Sequence, residues 1–214
     1  MIERSELFRE RTLPEMLQYV ETIRDNIISD GSELKRLRLK KGTYKKYLEE
    51  FLPLVEFSKI RYAINADLTF KLVEGNQSFD AQVMKNDEII RKIEFTYPRD
   101  GNQENSEALK LNSAGFANIS IDENIVTEYL EQIFLAASKK SKKDYGNAIV
   151  VIHIVPHWIM DLGNPRDRRK IQDLVYRLGT IAYNAAEVVL QISSAKYNDG
   201  SFSTEIHSVF QRQE

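Results

Sequence analysis

The chain has 214 residues, 42% hydrophobic and 29% charged, which suits a single globular domain with a proper core. Its lack of cysteine excludes disulfides and thiolate metal sites and fits a reducing compartment. There is no run of about 18 apolar residues and no charged-then-apolar leader, so a cytoplasmic protein without a membrane span is expected. A net charge of −2 argues against indiscriminate nucleic-acid binding, so any such surface must come from clustered cations.

Residues 1–57 read as helices that precede an α/β core over 58–214. Thr12-Leu13-Pro14-Glu15 is a capping box opening a helix whose apolar side is Met16, Leu17, Val20, Ile23 and Ile27, ending before Asp30-Gly31. Ser32 caps a second helix through Leu34 and Leu37, up to the break at Lys40-Lys41-Gly42. A third runs from Thr43 to about Phe57 with Tyr47, Leu48, Phe51 and Val55 on its core face, and Pro53 bends it or ends its regular part. Glu50 lies near that face. The run Lys35, Arg36, Arg38, Lys40, Lys41, Lys45, Lys46, interleaved with Tyr44 and Tyr47, is the strongest nucleic-acid signal. Its cations suit phosphates and its tyrosines suit base stacking, although a solvated helix face explains the run nearly as well.

Ala63 to Val73 alternates, with Ile64, Ala66, Leu68, Phe70 and Leu72 on one side, and reads as the first strand. Phe79–Asn86 and Ile89–Tyr97 are apolar-rich runs joined by a polar Asp87-Glu88 step, the pattern of an antiparallel hairpin. In the second run Ile93 and Phe95 share one face, and Lys92, Glu94 and Thr96 the other. Asp80 at the start of one strand and Glu94 within its partner can converge on a hard cation such as Mg²⁺ or Mn²⁺. Such an ion polarises a phosphoryl oxygen and activates water. Taken singly, Asp80 is also an ordinary turn residue and Glu94 an ordinary solvent-facing one. Asn76 and Gln77 read as turn residues before Asp80.

Beyond the Pro98–Gly101 turn, a short helix is expected over Ser106–Asn112. Asp122 then caps a long helix with Ile125, Val126, Tyr129, Leu130, Ile133, Phe134 and Ala137 inward and Lys139, Lys140, Lys142 and Lys143 in its last turn. Ala148–Val155 reads as a buried strand, Asn164-Pro165 as the opening of a helix bearing Ile171, Leu174, Val175 and Leu178, Glu187–Ile192 as another strand, and Phe202–Phe210 as an edge strand. Strands separated by a helix should be parallel neighbours. Arg166, Arg168, Arg169 and Lys170 stand where a helix start can hold anions, a position that is also commonly plain surface. Pro156 separates His153 from His157, so helical metal ligation fails and His153 reads as a core residue. The chain lacks a Gly-rich phosphate loop, a G-x-S-x-G elbow and a cysteine nucleophile.

The order Asp80, spacer, Glu94-Phe95-Thr96 resembles the motif of the PD-(D/E)xK nuclease superfamily, and the order of elements from about Glu49 to Phe210 resembles its restriction-endonuclease-like core. The resemblance implies a mixed central sheet with an antiparallel start and helices on both faces. It also implies a Mg²⁺- or Mn²⁺-dependent nuclease acting on DNA or RNA, with Asp80 and Glu94 as metal ligands. Glu50 or Glu56, with Glu50 preferred, matches the extra glutamate that some branches supply from a helix before the first strand. The chain departs from the motif twice: Phe79 replaces proline and Thr96 replaces the catalytic lysine. A hydroxyl cannot carry the charge of that lysine. Lys92 on the same strand face, or Lys140 within the helix cluster, can stand in for it, because some members supply the lysine from that helix. The plainer role of the cluster is to complement the helix macrodipole. Three readings stay open: an active nuclease, a catalytically silent relative binding nucleic acid or a protein partner, and an unrelated α/β interaction protein.

Overall fold

The capping box at Thr12 forms as expected: Glu15 Oε2 accepts from the Thr12 amide at 2.8 Å, and the Thr12 hydroxyl accepts from the Glu15 amide. In the computed structural model, which describes residues 2–75, 77–98, 101–114, 123–156, 159–196 and 202–212, the chain divides into two compact units. One comprises Met1–Ile90 and Asp100–Ile119, the other Arg91–Arg99 and Ser120–Glu214.

In the first unit, α1 (Arg4–Leu7) and the two-residue strand β1 (Arg11–Thr12) precede α2 (Leu13–Ser29). Met16 and Ile23 of α2 are buried, whereas Leu17 is exposed. The cap of α3 (Gly31–Arg38) is Asp30 rather than Ser32: the Asp30 carboxylate accepts from the Ser32 amide at 2.8 Å. The third predicted helix is three pieces, α4 (Thr43–Lys46), a π-helical turn over Tyr47–Phe51, and α5 (Leu52–Arg61). The π turn is where the Leu52 amide reaches back to the Tyr47 carbonyl. Widening the helix there relieves the clash of the Pro53 ring with the carbonyl four residues earlier, so the proline sits in the first turn of α5. Tyr47, Phe51 and Val55 are buried as expected, and Phe51 packs edge-on to Tyr19 at 5.4 Å.

The first long strand, β2 (Leu68–Leu72), is shorter than the alternation suggests. Leu68, Phe70 and Leu72 are buried, but Ile64 lies before the strand at 94% exposure. Beginning a strand there would have demanded partners that β1 does not offer, since β1 pairs with β2 only at Phe70 and Thr69. β2 pairs antiparallel with β3 (Ala81–Lys85), and a two-residue turn leads into β4 (Glu88–Thr96). That turn is Asn86-Asp87, both at positive φ, 52° and 64°. This left-handed geometry suits Asn and Asp and matches strand twist, so Glu88 belongs to the strand. α6 (Gly101–Ala114) is longer than predicted.

In the second unit, β4 from Arg91 onward pairs parallel with β5 (Ala148–Ile154), β5 pairs parallel with β6 (Glu187–Lys196), and β6 pairs antiparallel with β7 (Phe202–Gln211). This is a mixed sheet, and helices α7 (Glu123–Ser141) and α8 (Pro165–Gly179) pack on one of its faces. Val126, Leu130, Ile133 and Ala137 of α7 meet Val150, Ile152 and Leu190 of the strands in one apolar core. The Asn164 side chain caps α8 by accepting from the Arg166 amide at 2.9 Å. The fold is thus mixed α/β, with a multi-stranded mixed sheet and flanking helices. No helix among the described residues is long and apolar enough to cross a membrane. Asn76, Asp122, His157 and the middle of the Pro98–Gly101 turn lie outside the described residues.

Candidate functional site

The predicted site residues fall in both units: Glu50 and Asp80 in the first, Lys92, Glu94, Thr96 and Lys140 in the second. In the first unit the π turn carries two consecutive glutamates, each held by a lysine. Lys40 Nζ donates to Glu49 at 2.9 Å, and Lys46 Nζ spans both Glu50 oxygens at 2.8 and 2.7 Å. The Lys46–Glu50 pair is one helical turn long, the spacing at which side chains stack on a helix face. Burial pushes the Glu50 carboxyl above its ordinary range; Lys46 opposes this, and the charge of Asp80 adds to it. Asp80 itself directly precedes β3, and its carbonyl accepts from the Val73 amide at 2.8 Å, which ties it to the end of β2.

In the second unit, β4 and α7 bring together Glu94, Thr96 and Lys140. Register aligns Glu94 with Val150 and Thr96 with Ile152, so both side chains lie on the sheet face that carries the helices. Both are buried, at 8% and 5% exposure. The Glu94 carboxylate is not left in apolar surroundings, because the Lys140 ammonium forms an ion pair with it. Lys140 reaches it for a reason visible in α7: Ile133 and Ala137 are fully buried, and Lys140, seven and three residues further on, continues the same inward stripe. Lys139, Lys142 and Lys143 are exposed, the placement expected of cations at a helix C-terminus. Lys92 is exposed. The buried Thr96 hydroxyl has no hydrogen-bond partner among the described residues.

Among the described residues, no group of three or more His, Asp or Glu side chains gathers as a metal cage. The donors the sequence nominated, Asp80, Glu94 and Glu50, are all carboxylates, and oxygen donors fit Mg²⁺ or Mn²⁺ rather than a softer metal.

The predicted nucleic-acid surface is uneven. Lys41 and Lys45 are exposed, but Lys40 and Lys46 are engaged by Glu49 and Glu50. Tyr44 is buried and its hydroxyl donates to the buried Glu33, so this ring cannot stack on a base as it stands. Arg168 is held by Glu205 at 2.9 and 3.3 Å and donates to the Leu162 carbonyl at 3.0 Å, a structural role beside β7; Arg169 is exposed. His153 is buried, its ring 5.8 Å from that of Tyr97. Gln77 is exposed and donates to the Glu74 carbonyl at 3.4 Å, as befits a turn residue.

Sequence reasoning named Lys140 and Lys46 but did not join them to Glu94 and Glu50. The second pairing is written in the sequence as a four-residue spacing. The first, 46 residues apart, has only the inward stripe of α7 as its signal. No family model matches the chain, and neither a curated protein nor a solved structure matches it.

Proposed function

We propose that this chain is a metal-dependent phosphodiesterase of the PD-(D/E)xK type, acting on DNA or RNA, in which Lys140 does the work of the lysine that Thr96 replaces. The ion pair between Lys140 and Glu94 carries this reading, because it brings an ammonium to the motif glutamate from the helix that follows the motif strands. The resemblance assigns Asp80, Glu94 and Glu50 to Mg²⁺ or Mn²⁺, an ion that when bound would polarise a phosphoryl oxygen and lower the pKa of water. Glu94 supplies negative charge, Lys140 supplies a proton donor and positive charge toward a phosphate, and the Thr96 hydroxyl can hold a water beside them. The exposed Lys41 and Lys45 supply phosphate contacts without sequence choice.

The test is cleavage of single- and double-stranded DNA and RNA with Mg²⁺ or Mn²⁺. Glu94→Ala should lower the rate by at least the 10²–10³-fold, roughly, that loss of one charge-stabilising group costs. A folded protein no more active than its own Asp80→Ala variant on every substrate sinks the reading. The silent-relative reading draws on one observation, Thr96 at the lysine position. It expects nucleic acid to bind in EDTA without being cut.

A further inference from the structure

Register gathers one end of the sheet in the second unit from separate elements. Lys92 of β4 aligns with Ala148 at the start of β5, Ile149 with Glu187 at the start of β6, and Glu187 with Gln211 at the end of β7. The chain leaving α7 is tied to the same end. The Ala148 amide donates to the Tyr145 carbonyl at 2.9 Å, the Tyr145 amide donates to the Asn184 carbonyl at 2.8 Å, and Asp144 forms a bridge with Asn184. The Asn184 side chain accepts from the Arg212 guanidinium at 2.8 Å. These bonds bring Lys139 in the last turn of α7, Lys142 and Lys143 just beyond it, Lys92 and Arg212 to one end of the unit, and each is exposed. A helix macrodipole accounts for cations at the end of α7, but not for Lys92 and Arg212, which belong to strand ends. Asp144, whose carboxylate accepts from the Gly146 amide at 2.9 Å, and the buried Glu187 share this end, and the cations outnumber them.

We propose that this end of the second unit is a docking surface for the phosphate backbone of nucleic acid, with Lys142, Lys143 and Arg212 as phosphate ligands and Lys139 and Lys92 at its flanks. The choice of nucleic acid among polyanions rests on the nuclease reading: the ion pair of Lys140 and Glu94, which that reading places at the phosphodiester, joins the end of α7 to β4 two residues from Lys92. The surface has the breadth for the task. Neighbouring strands lie about 4.8 Å apart, so the three spacings from β4 to β7 set the backbones of Lys92 and Gln211 roughly 14 Å apart. That width spans several phosphates of one strand at about 3.4 Å of helix axis each. Contacts of this kind give affinity and register without sequence choice. The far end of the same unit supplies a contrast. There α8 begins with the exposed Arg166 and Arg169, and Arg168 is held by Glu205, which lies opposite Ile192.

The test is binding of fluorescein-labelled DNA duplex and single strand to the full chain in EDTA across a KCl series, with RNA of the same sequence in parallel. Lys142→Gln together with Lys143→Gln should flatten the slope of log affinity against log salt by about 1.8 on the DNA duplex and about 1.4 on a single strand, the share of two phosphate contacts. Arg212→Gln alone should flatten the duplex slope by about 0.9. Arg166→Gln together with Arg169→Gln removes as much charge from the far end of the unit and should leave the slope nearly unchanged. Equal flattening by the two pairs overturns the surface, and so does an unchanged slope in the lysine pair or in Arg212→Gln. Vesicles of phosphatidylserine and phosphatidylcholine are the second arm: a lysine pair needed for vesicle binding but not for the nucleic-acid slope makes this end a membrane contact, and the proposal falls. Wild type that binds none of the nucleic acids removes both this surface and the nuclease reading. Wild type that binds through this surface and cuts nothing when Mg²⁺ or Mn²⁺ is supplied removes only the nuclease reading.

Discussion

Glu50 and Glu94 are both acidic side chains gripped by a lysine, but the two grips differ in origin. Lys46 and Glu50 are four residues apart on one helical face, so the pair forms with the helix and needs no other part of the chain. Lys140 and Glu94 meet only when α7 has packed on the sheet, because nothing local joins them. A local pair reports on its helix; a distant one reports on the assembled unit. The second pair is therefore the one whose loss should be felt in both stability and chemistry.

The largest effect expected to expose that difference is in activity. Lys140→Ala should slow metal-dependent cleavage by about 10²-fold, as loss of a group stabilising charge at a phosphate does, while Lys46→Ala should leave the single-turnover rate within about tenfold of wild type. Equal losses would erase the distinction. Thermal unfolding should follow the same order: Lys140→Ala leaves Glu94 buried and costs about 1–3 kcal/mol, whereas Lys46→Ala costs less, because Glu50 is more exposed than Glu94 and Lys46 more exposed than Lys140.

Nucleic-acid affinity sharpens the comparison from the basic run. Neutralising Lys41 and Lys45 together should flatten the slope of log affinity against log salt by about 1.8 on duplex DNA, the share of two phosphate contacts. Neutralising Lys40 and Lys46, already engaged by Glu49 and Glu50, should flatten it less. An equal change for the two pairs would mean that the lysines let go of their glutamates on binding.

A smaller effect concerns acid. The Tyr44 hydroxyl bond holds Glu33 below the usual carboxylate range, with burial opposing it. A depressed folded-state pKa contributes stability above the ordinary carboxylate range, and that contribution is lost as pH falls through the range toward the folded value. Tyr44→Phe should therefore lower the melting temperature most at neutral pH, and the deficit should shrink on acidification. A deficit independent of pH would assign the bond no role in holding Glu33 charged. Least of all, Thr96→Val should leave stability unchanged or raise it by up to about 1 kcal/mol, because it deletes a buried hydroxyl with no partner among the described residues. A clear loss of stability would show that the hydroxyl is bonded in solution.

What the sequence disclosed was local. The capping box at Thr12, the Asn164 cap and the inward stripe of α7 follow from spacing or from short-range hydrogen bonds, and the parallel pairing of β4, β5 and β6 from the rule that strands separated by a helix lie parallel. The hairpin turn was displaced by one residue because Asn86 has the same polarity as a strand end, and only its positive φ assigns it to the turn. Ile64 alternates in phase with Leu68 and Phe70, yet a strand also needs a neighbour to pair with, and that depends on β1, too short to announce itself. Tyr44 reads as a stacking ring by its neighbours in sequence, whereas its burial depends on Glu33, eleven residues earlier on another helix. Asp80, Glu94 and Glu50 were nominated by residue type, spacing and resemblance, and among the described residues no group of three such side chains gathers. Which lysine meets which glutamate was legible only for the helical pair.

The π turn over Tyr47–Phe51 has a consequence for the phase of the helix that contains it. Such a turn holds one residue more than an α-helical ladder would, so everything before it is rotated by about 100° relative to everything after. Deleting a single residue there would let the backbone close into a regular helix with no bond broken overall. It would also swing the buried Tyr44 relative to the buried residues of α5, and set Pro53 against a carbonyl it currently avoids. A one-residue deletion in this segment is thus a rotation of half a helix against the other half, and no single substitution can undo it.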